Sequence, residues 1–265
     1  MITLSHLLKT YGGVTALDIP ELTIEDGQIV GLVGNNGAGK TTMMRLILDL
    51  IRADRGTAAL DGRRVDQDPA WKDFTGSFLD GSFLVDFYTP EEFFDFVAEA
   101  YGFSRDEMQR RLRAYETLMN GEIMGKGKLI HDHSNGNRQK IGIIGAMLVN
   151  PRVLILDEPF NYLDPSSQLV VAKLIRDMNR DLGTTVLVSS HNLTSINDLC
   201  NRILLLERGS LLMDKAHVPG SVDPELEAYF LGAAKLVSGP GSRSGGPPAW
   251  WKAGRPWGGR CGAIR

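Results

Sequence analysis

Cysteine is nearly absent: the 265 residues hold only Cys200 and Cys261. Two thiols cannot build a disulfide framework, which excludes the small disulfide-stapled secreted class and agrees with a reducing compartment. Long apolar runs are missing as well. No stretch of about 18 uncharged apolar residues occurs, so no membrane-spanning helix is expected. The opening residues, Met1-Ile2-Thr3-Leu4-Ser5-His6, lack the basic-then-apolar order of a secretory leader. These absences lead to the expectation of a cytoplasmic protein. The net charge of −3 shows no basic excess, so no nucleic-acid partner is expected. No internal repeat is visible.

What is present is a hydrophobic fraction of 43%, enough to fill the core of one large domain. A single domain is expected over residues 1–235, with a tail over 236–265. That tail has five basic residues (Arg243, Lys252, Arg255, Arg260, Arg265), no acidic one, and three of the four tryptophans. It shows neither strand nor helix periodicity and reads as disordered or extended. Two readings stay open: Trp250, Trp251 and the basic residues touch a membrane surface, or the segment is a variable or non-native terminus.

Within 1–235 the pattern alternates. Residues 17–24 and 28–33 read as strands separated by the turn Glu25-Asp26-Gly27, and Ile29-Val30-Gly31-Leu32-Val33 is short and apolar, as a buried strand is. Residues 40–51 have helical spacing. Further apolar strands are expected at 153–156, 185–188 and 203–206, with helices near 166–180 and 193–199. Strands alternating with helices imply a mostly parallel α/β sheet with helices on both faces. Residues 81–150 interrupt the alternation with helical stretches at 90–101, 105–119 and 137–149. They are expected to form an inserted helical subdomain between two parts of a core, 1–80 and 151–235.

The loop Gly34-Asn35-Asn36-Gly37-Ala38-Gly39-Lys40-Thr41 fits G-x-x-x-x-G-K-[ST]. Glycines let successive N–H groups curl toward phosphate oxygens. Lys40 supplies charge for the β- and γ-phosphates, and Thr41 offers a hydroxyl to Mg²⁺ at the positive end of the following helix. These residues and Thr42 are the candidate nucleotide-binding set. Asp157 and Glu158 end the strand 153–156, where ligands sit in open α/β sheets. Asp157 is expected to hold Mg²⁺ and Glu158 to polarise a water attacking the γ-phosphate. His191 ends the next strand and can reach the same phosphate. Lys40, Glu158 and His191 are thus the catalytic candidates. His6, His131, His133 and His217 have no such context.

In order and spacing these residues resemble the ATP-binding cassette (ABC) ATPases over about residues 1–215. The resemblance implies a P-loop NTPase core with a mostly parallel sheet, an N-terminal antiparallel β region and an inserted α-helical subdomain. It implies ATP and Mg²⁺ as cofactors. Tyr11 stands where the family stacks an aromatic on adenine; a plain packing tyrosine is the alternative. Thr89-Pro90-Glu91-Glu92 is similar to the stretch after the Q-loop, Ser134-Asn135-Gly136-Asn137-Arg138-Gln139-Lys140 to the signature segment, Asn161-Tyr162-Leu163-Asp164 to the D-loop, and His191 to the switch histidine. Two cassettes would then stack head to tail, with Ser134 and Gly136 of one completing the ATP site of the other, and closure of the pair would move a transmembrane permease subunit.

Two residues depart from the pattern. Asp80 stands at the Q-loop glutamine and joins Thr41 and Asp157 as a candidate metal ligand, retuning the site. His133 and Asn135 replace Leu and Gly of the signature. Residues 74–103 also gather eight of the ten phenylalanines, as a subdomain core or as a groove for a permease helix. The segment 189–202 resembles cassettes of bacterial exporters whose membrane part is a separate chain, so export by a peripheral subunit on the inner membrane face is expected. A soluble ABC ATPase acting in assembly or regulation is the alternative.

Overall fold

In the computed structural model, which describes residues 1–191 and 193–232, the chain begins with two long antiparallel strands, β1 (Ile2–Tyr11) and β2 (Val14–Ile24). Ile2, Leu4 and Leu7 of β1 and Leu17, Ile19, Leu22 and Ile24 of β2 are buried. The chain continues through β3 (Ile29–Val33) and α1 (Lys40–Ile47) into β4 (Arg55–Leu60) and β5 (Arg63–Arg64). Strands β1, β2, β4 and β5 form a four-stranded antiparallel sheet in the order β2-β1-β4-β5.

The second sheet draws strands from across the sequence: β6 (Thr75–Phe78), β7 (Val153–Leu156), β8 (Thr185–Ser190), β9 (Arg202–Glu207) and β10 (Ser210–Ala216). Its order is β10-β9-β3-β8-β7-β6, parallel throughout except for the β9–β10 hairpin. Every residue of β3, β7 and β8 is buried, as expected for parallel strands covered on both faces. Met43, Met44 and Ile47 of α1 are fully buried and share one core with residues of both sheets.

The helices lie where local signals place them. Between β6 and β7 run α2 (Pro90–Ala100), α3 (Arg105–Leu112), α4 (Glu116–Met119) and α5 (Asn135–Leu148). Thr89 and Glu92 cap α2 reciprocally, with Pro90 in the first turn. α6 (Pro165–Leu182) starts on Asp164, whose side chain accepts from the Ser167 N–H, and stops at Gly183 in the left-handed region. α7 (Leu193–Leu199) follows β8.

Two expected helices are shorter than their patterns suggest. The helix expected over 40–51 ends at Ile47, and Asp49 takes φ 51°. Residues 105–119 break into α3, a 3₁₀ turn at Arg113–Tyr115, and α4. The buried Leu112, Tyr115 and Leu118 recur every three residues, a spacing that the three-residue turn aligns and the α-helix does not.

Two compact units result. Met1–Asp223 is one and contains all the elements above. The second unit, Pro224–Arg265, is described only to residue 232 and contains α8 (Pro224–Phe230). The expected tail at 236–265 lies outside the described residues. Among the described residues no helix is long and apolar enough to cross a membrane.

The helical insert docks on the sheet through α5. A Cβ at Gly142 would lie 2.0 Å from the Phe78 ring of β6. Gly142→Ala should therefore overpack this joint and cost about 1–3 kcal/mol, read as a lower urea midpoint. Adding Phe78→Leu should recover part of that loss. A midpoint unmoved by Gly142→Ala would mean the joint is slack.

Candidate functional site

The loop 34–41 leaves the carboxyl end of β3, which β8 and β9 flank on either side. Gly39 has φ 109°, and a Cβ there would lie 2.7 Å from the Ala16 carbonyl oxygen, so both conformation and space require glycine. The Gly209 N–H donates to the Ala38 carbonyl at 2.8 Å and fixes the loop from the β9–β10 turn. Asn35, Asn36 and Gly37 are exposed. Lys40 is buried; its Nζ donates to the Gly34 carbonyl at 2.7 Å and stands 3.6 Å from Glu158 Oε1.

Asp157, 5% exposed, directly follows β7. Its Oδ2 accepts from the Thr41 hydroxyl at 2.5 Å and its Oδ1 accepts from the Ser189 hydroxyl. Ser189 also accepts the Glu158 N–H at 2.8 Å. Glu158 has φ 48°, a left-handed conformation that costs a branched-free side chain of this size on the order of 1 kcal/mol. The Gln139 side-chain amide donates to the Glu158 carbonyl at 3.1 Å and helps hold it there. The Glu158 carboxylate meets Lys40 through one oxygen and His191 through the other: Nδ1 at 2.8 Å and the backbone N–H at 3.2 Å. Ser189 and Gln139 figure in the sequence only as members of the 189–202 and 134–140 segments, with no role of their own. The position of Ser189 two residues before His191, at the end of a fully buried strand, is the signal that could have found it.

Asp80 follows β6. One oxygen accepts the Ser82 N–H at 2.7 Å, and the other is 3.7 Å from Arg45 of α1. Both side chains are partly exposed, so the ion pair contributes at most about 1 kcal/mol. Thr41, Asp80, Asp157 and Glu158 line one open cleft of about 740 Å³. Among the described residues no cluster of three or more His, Cys, Asp or Glu groups suits a metal on its own. The hard oxygens of Thr41, Asp157 and Asp80 suit Mg²⁺, which characteristically completes its shell with water and substrate phosphates.

Ser134 caps α5, accepting the Asn137 N–H at 3.2 Å, and its side chain is exposed. A Cβ at Gly136 would lie 2.8 Å from the Tyr162 carbonyl oxygen, so the start of α5 packs directly on the 161–164 loop. Among the described residues no hydrogen bond joins Ser134 or Gly136 to 34–42 of the same chain. Tyr11 is exposed at the end of β1. The aromatic group of 74–103 divides: Phe78, Phe93 and Phe94 are buried, whereas Phe83, Phe87, Tyr88 and Phe96 are exposed.

The model of the ABC transporter family matches residues 17–161. The chain is 33% identical to the tungstate uptake system ATP-binding protein of Peptoclostridium acidaminophilum over 211 residues, 78% of this chain and 95% of that protein. It is 33% identical to an uncharacterized ABC transporter ATP-binding protein of Synechocystis over 200 residues, covering 75% of this chain and 56% of that protein, so it spans about half of that relative. Among solved structures, a dimeric post-hydrolysis state of an ATP-binding cassette bound to ADP and Pi superposes with a TM-score of 0.72 at 25% identity, covering 82% of this chain and 98% of that one.

His133 supplies a pH test of the signature region. It is buried, its Nε2 has no hydrogen-bond partner among the described residues, and desolvation, reinforced by Lys128, lowers its pKa below the ordinary histidine value. Glu91 and Asp132 oppose that shift. The unfolded chain therefore takes up the proton first, and stability is lost as the pH falls through about 6.5. His133→Gln should flatten the fall in urea midpoint between about pH 7.5 and 5.5; an unchanged slope would place the titrating group elsewhere.

Proposed function

Because the chain belongs to the ABC transporter family of ATPases, we propose that it is the nucleotide-hydrolysing subunit of an ABC transporter, acting as one of two stacked cassettes. The observation that supports this most directly is the convergence of Lys40, Thr41, Asp157, Glu158 and His191 at the carboxyl ends of β3, β7 and β8. A phosphate-binding loop alone indicates nucleotide binding. A glutamate held between the loop lysine and a histidine adds the means to cleave.

The loop N–H groups and the amino end of α1 bind the phosphates, and Lys40 turns from the Gly34 carbonyl to the phosphate oxygens. The Glu158 carboxylate orients a water and accepts its proton as the new O–P bond forms. The bond from the γ-phosphorus to the bridging oxygen breaks, and ADP leaves with the electron pair. His191 holds the Glu158 carboxylate at the angle this requires. Thr41, Asp157 and Asp80 would hold Mg²⁺, which supplies charge neutralisation to the phosphate oxygens when bound. Tyr11 stacks on adenine. Ser134 and the Gly136 N–H are free of the site in their own chain, and they complete the site of a second copy from the amino end of α5.

A groove of about 290 Å³ beside β6 offers a seat for a permease helix, lined by Leu50, Trp71, Lys72, Phe83 and Tyr101. Its aromatic character suits an amphipathic helix, and this supports a peripheral subunit at the inner membrane face over a soluble assembly factor. The export direction expected from 189–202 finds no support in the comparisons: the similar proteins include ATP-binding proteins named for tungstate uptake, methionine import and taurine import. Asn192 of that segment lies outside the described residues. No direction is therefore assigned.

Glu158→Gln should lower ATP hydrolysis by about 10²- to 10⁴-fold and should elute at twice the monomer mass in ATP and Mg²⁺. Hydrolysis at the wild-type rate would remove Glu158 from the mechanism. Asp80→Gln should shift the Mg²⁺ concentration needed for half-maximal hydrolysis; if both that concentration and the turnover stay put, Asp80 does not retune the metal site.

A further inference from the structure

The end of β1 is paired on one side: its ladder with β2 continues to Tyr11, whereas its pairing with β4 ends at Leu8. Its pairing with β2 slips register between Lys9 and Thr10, and its pairing with β4 slips between Ser5 and Leu8. Tyr11 lies just beyond both irregularities. On the β4 side, beyond Leu8, an exposed residue of the loop before β4, Asp54, supplies the contacts. Its Oδ2 accepts the Thr10 N–H at 2.6 Å and the Thr10 hydroxyl at 2.7 Å, and its Oδ1 accepts Lys9 Nζ at 3.0 Å. Its own N–H donates to the Leu8 carbonyl at 2.9 Å. The Thr10 hydroxyl, Lys9 and the Thr10 N–H hold the Asp54 carboxyl down to about 2, so it is charged at any working pH.

The other strand of the hairpin is fixed to the phosphate loop. Ala16 of β2 lies against Gly39, and the Asp18 N–H donates to the Gly209 carbonyl at 2.7 Å. Lys9 Nζ sits 5.4 Å from the Tyr11 ring centroid and covers one face of the ring. The ring thus has a cationic neighbour over one face, and Tyr11 as a whole is 52% exposed.

We propose that Asp54 is a positioning residue for the base end of the nucleotide: it locks residues 8–10 so that Tyr11 presents its uncovered face to adenine at a fixed distance from the phosphate loop. This rests on Tyr11 being the adenine-stacking residue. Stiffening the strand end beforehand removes an ordering cost that binding would otherwise meet.

The test is ATP affinity by calorimetry for wild type, Asp54→Ala, Asp54→Asn, Tyr11→Ala and the double variant Tyr11→Ala/Asp54→Ala, with inorganic tripolyphosphate as the base-free probe. Tyr11→Ala should weaken ATP about tenfold, the order of one base–aromatic stack, and Asp54→Ala should approach that loss. Asp54→Asn keeps an acceptor for Thr10 and should lie between. The double variant should be no weaker than Tyr11→Ala alone, and tripolyphosphate affinity should stay constant. Unchanged ATP affinity in Asp54→Ala beside a loss in Tyr11→Ala would overturn the proposal and leave the stacking reading intact. An unchanged Tyr11→Ala would overturn the stacking reading itself. Additive losses in the double variant, or equal losses of ATP and tripolyphosphate in Asp54→Ala, would reduce Asp54 to a general stabiliser.

Discussion

A carboxylate removed from water must find partners inside the protein, and Asp157 finds them in two hydroxyls. Thr41 comes from the first turn of α1 and Ser189 from β8, so one buried charge ties three separate chain segments together at the carboxyl edge of the sheet. An unpaired buried carboxylate would cost several kcal/mol or neutralise itself. The hydroxyls satisfy it without introducing a competing charge. The arrangement also sets the reach of everything beside it. Ser189 spends its hydrogen on Asp157 and its lone pair on the Glu158 N–H, so the two acidic residues are registered through a single oxygen.

That registration explains the backbone at Glu158. A left-handed conformation turns its side chain out of the path that an extended strand end would give it. The Glu158 N–H is bonded to Ser189 and its carbonyl to Gln139, and the carboxylate is left to face Lys40 and His191. Strain of this kind persists only where the surroundings over-determine it. Here they do so from β8 on one side and α5 on the other. The local cost is offset by bonds drawn from elements distant in sequence.

The same distance governs what the sequence reveals. The β3–loop–α1 unit is legible because its signals are local: an apolar run, glycines at fixed offsets, then helical spacing. β7 and β8 are legible as short apolar runs. β4 is not, since Arg55-Gly56-Thr57-Ala58-Ala59-Leu60 has little β-branched or aromatic character and becomes a strand by pairing with β1. β6 is fixed by β7, which lies across the whole helical insert. α1 stops short of its expected end: the apolar pattern continues to Leu50, but Leu50 is exposed and lines a groove rather than joining the core. In the site, Lys40, Thr41, Asp157, Glu158 and His191 carry recognisable chemistry at recognisable places. Ser189, Gln139 and Arg45 do not, because a serine, a glutamine or an arginine acquires its role only from the neighbour that folding supplies.

The helical insert shows what such neighbours impose. Adjacent residues of α5 reach in two directions: Gln139 donates to the Glu158 carbonyl, and Arg138 donates to the Gly81 carbonyl at 3.3 Å and forms an ion pair with the Asp86 carboxylate at 2.8 Å. Glycine at 136 lets the helix start rest on the Tyr162 carbonyl, with no side chain to cushion a shift. α5 is thus pinned to Glu158, to the segment leading into the exposed aromatics, and to the 161–164 loop. It cannot slide relative to β7 without breaking the Gln139 bond or pressing Gly136 into Tyr162. One rigid helix, bonded at consecutive residues, thus ties the 81–86 segment to the Glu158 backbone without a relay through the rest of the insert.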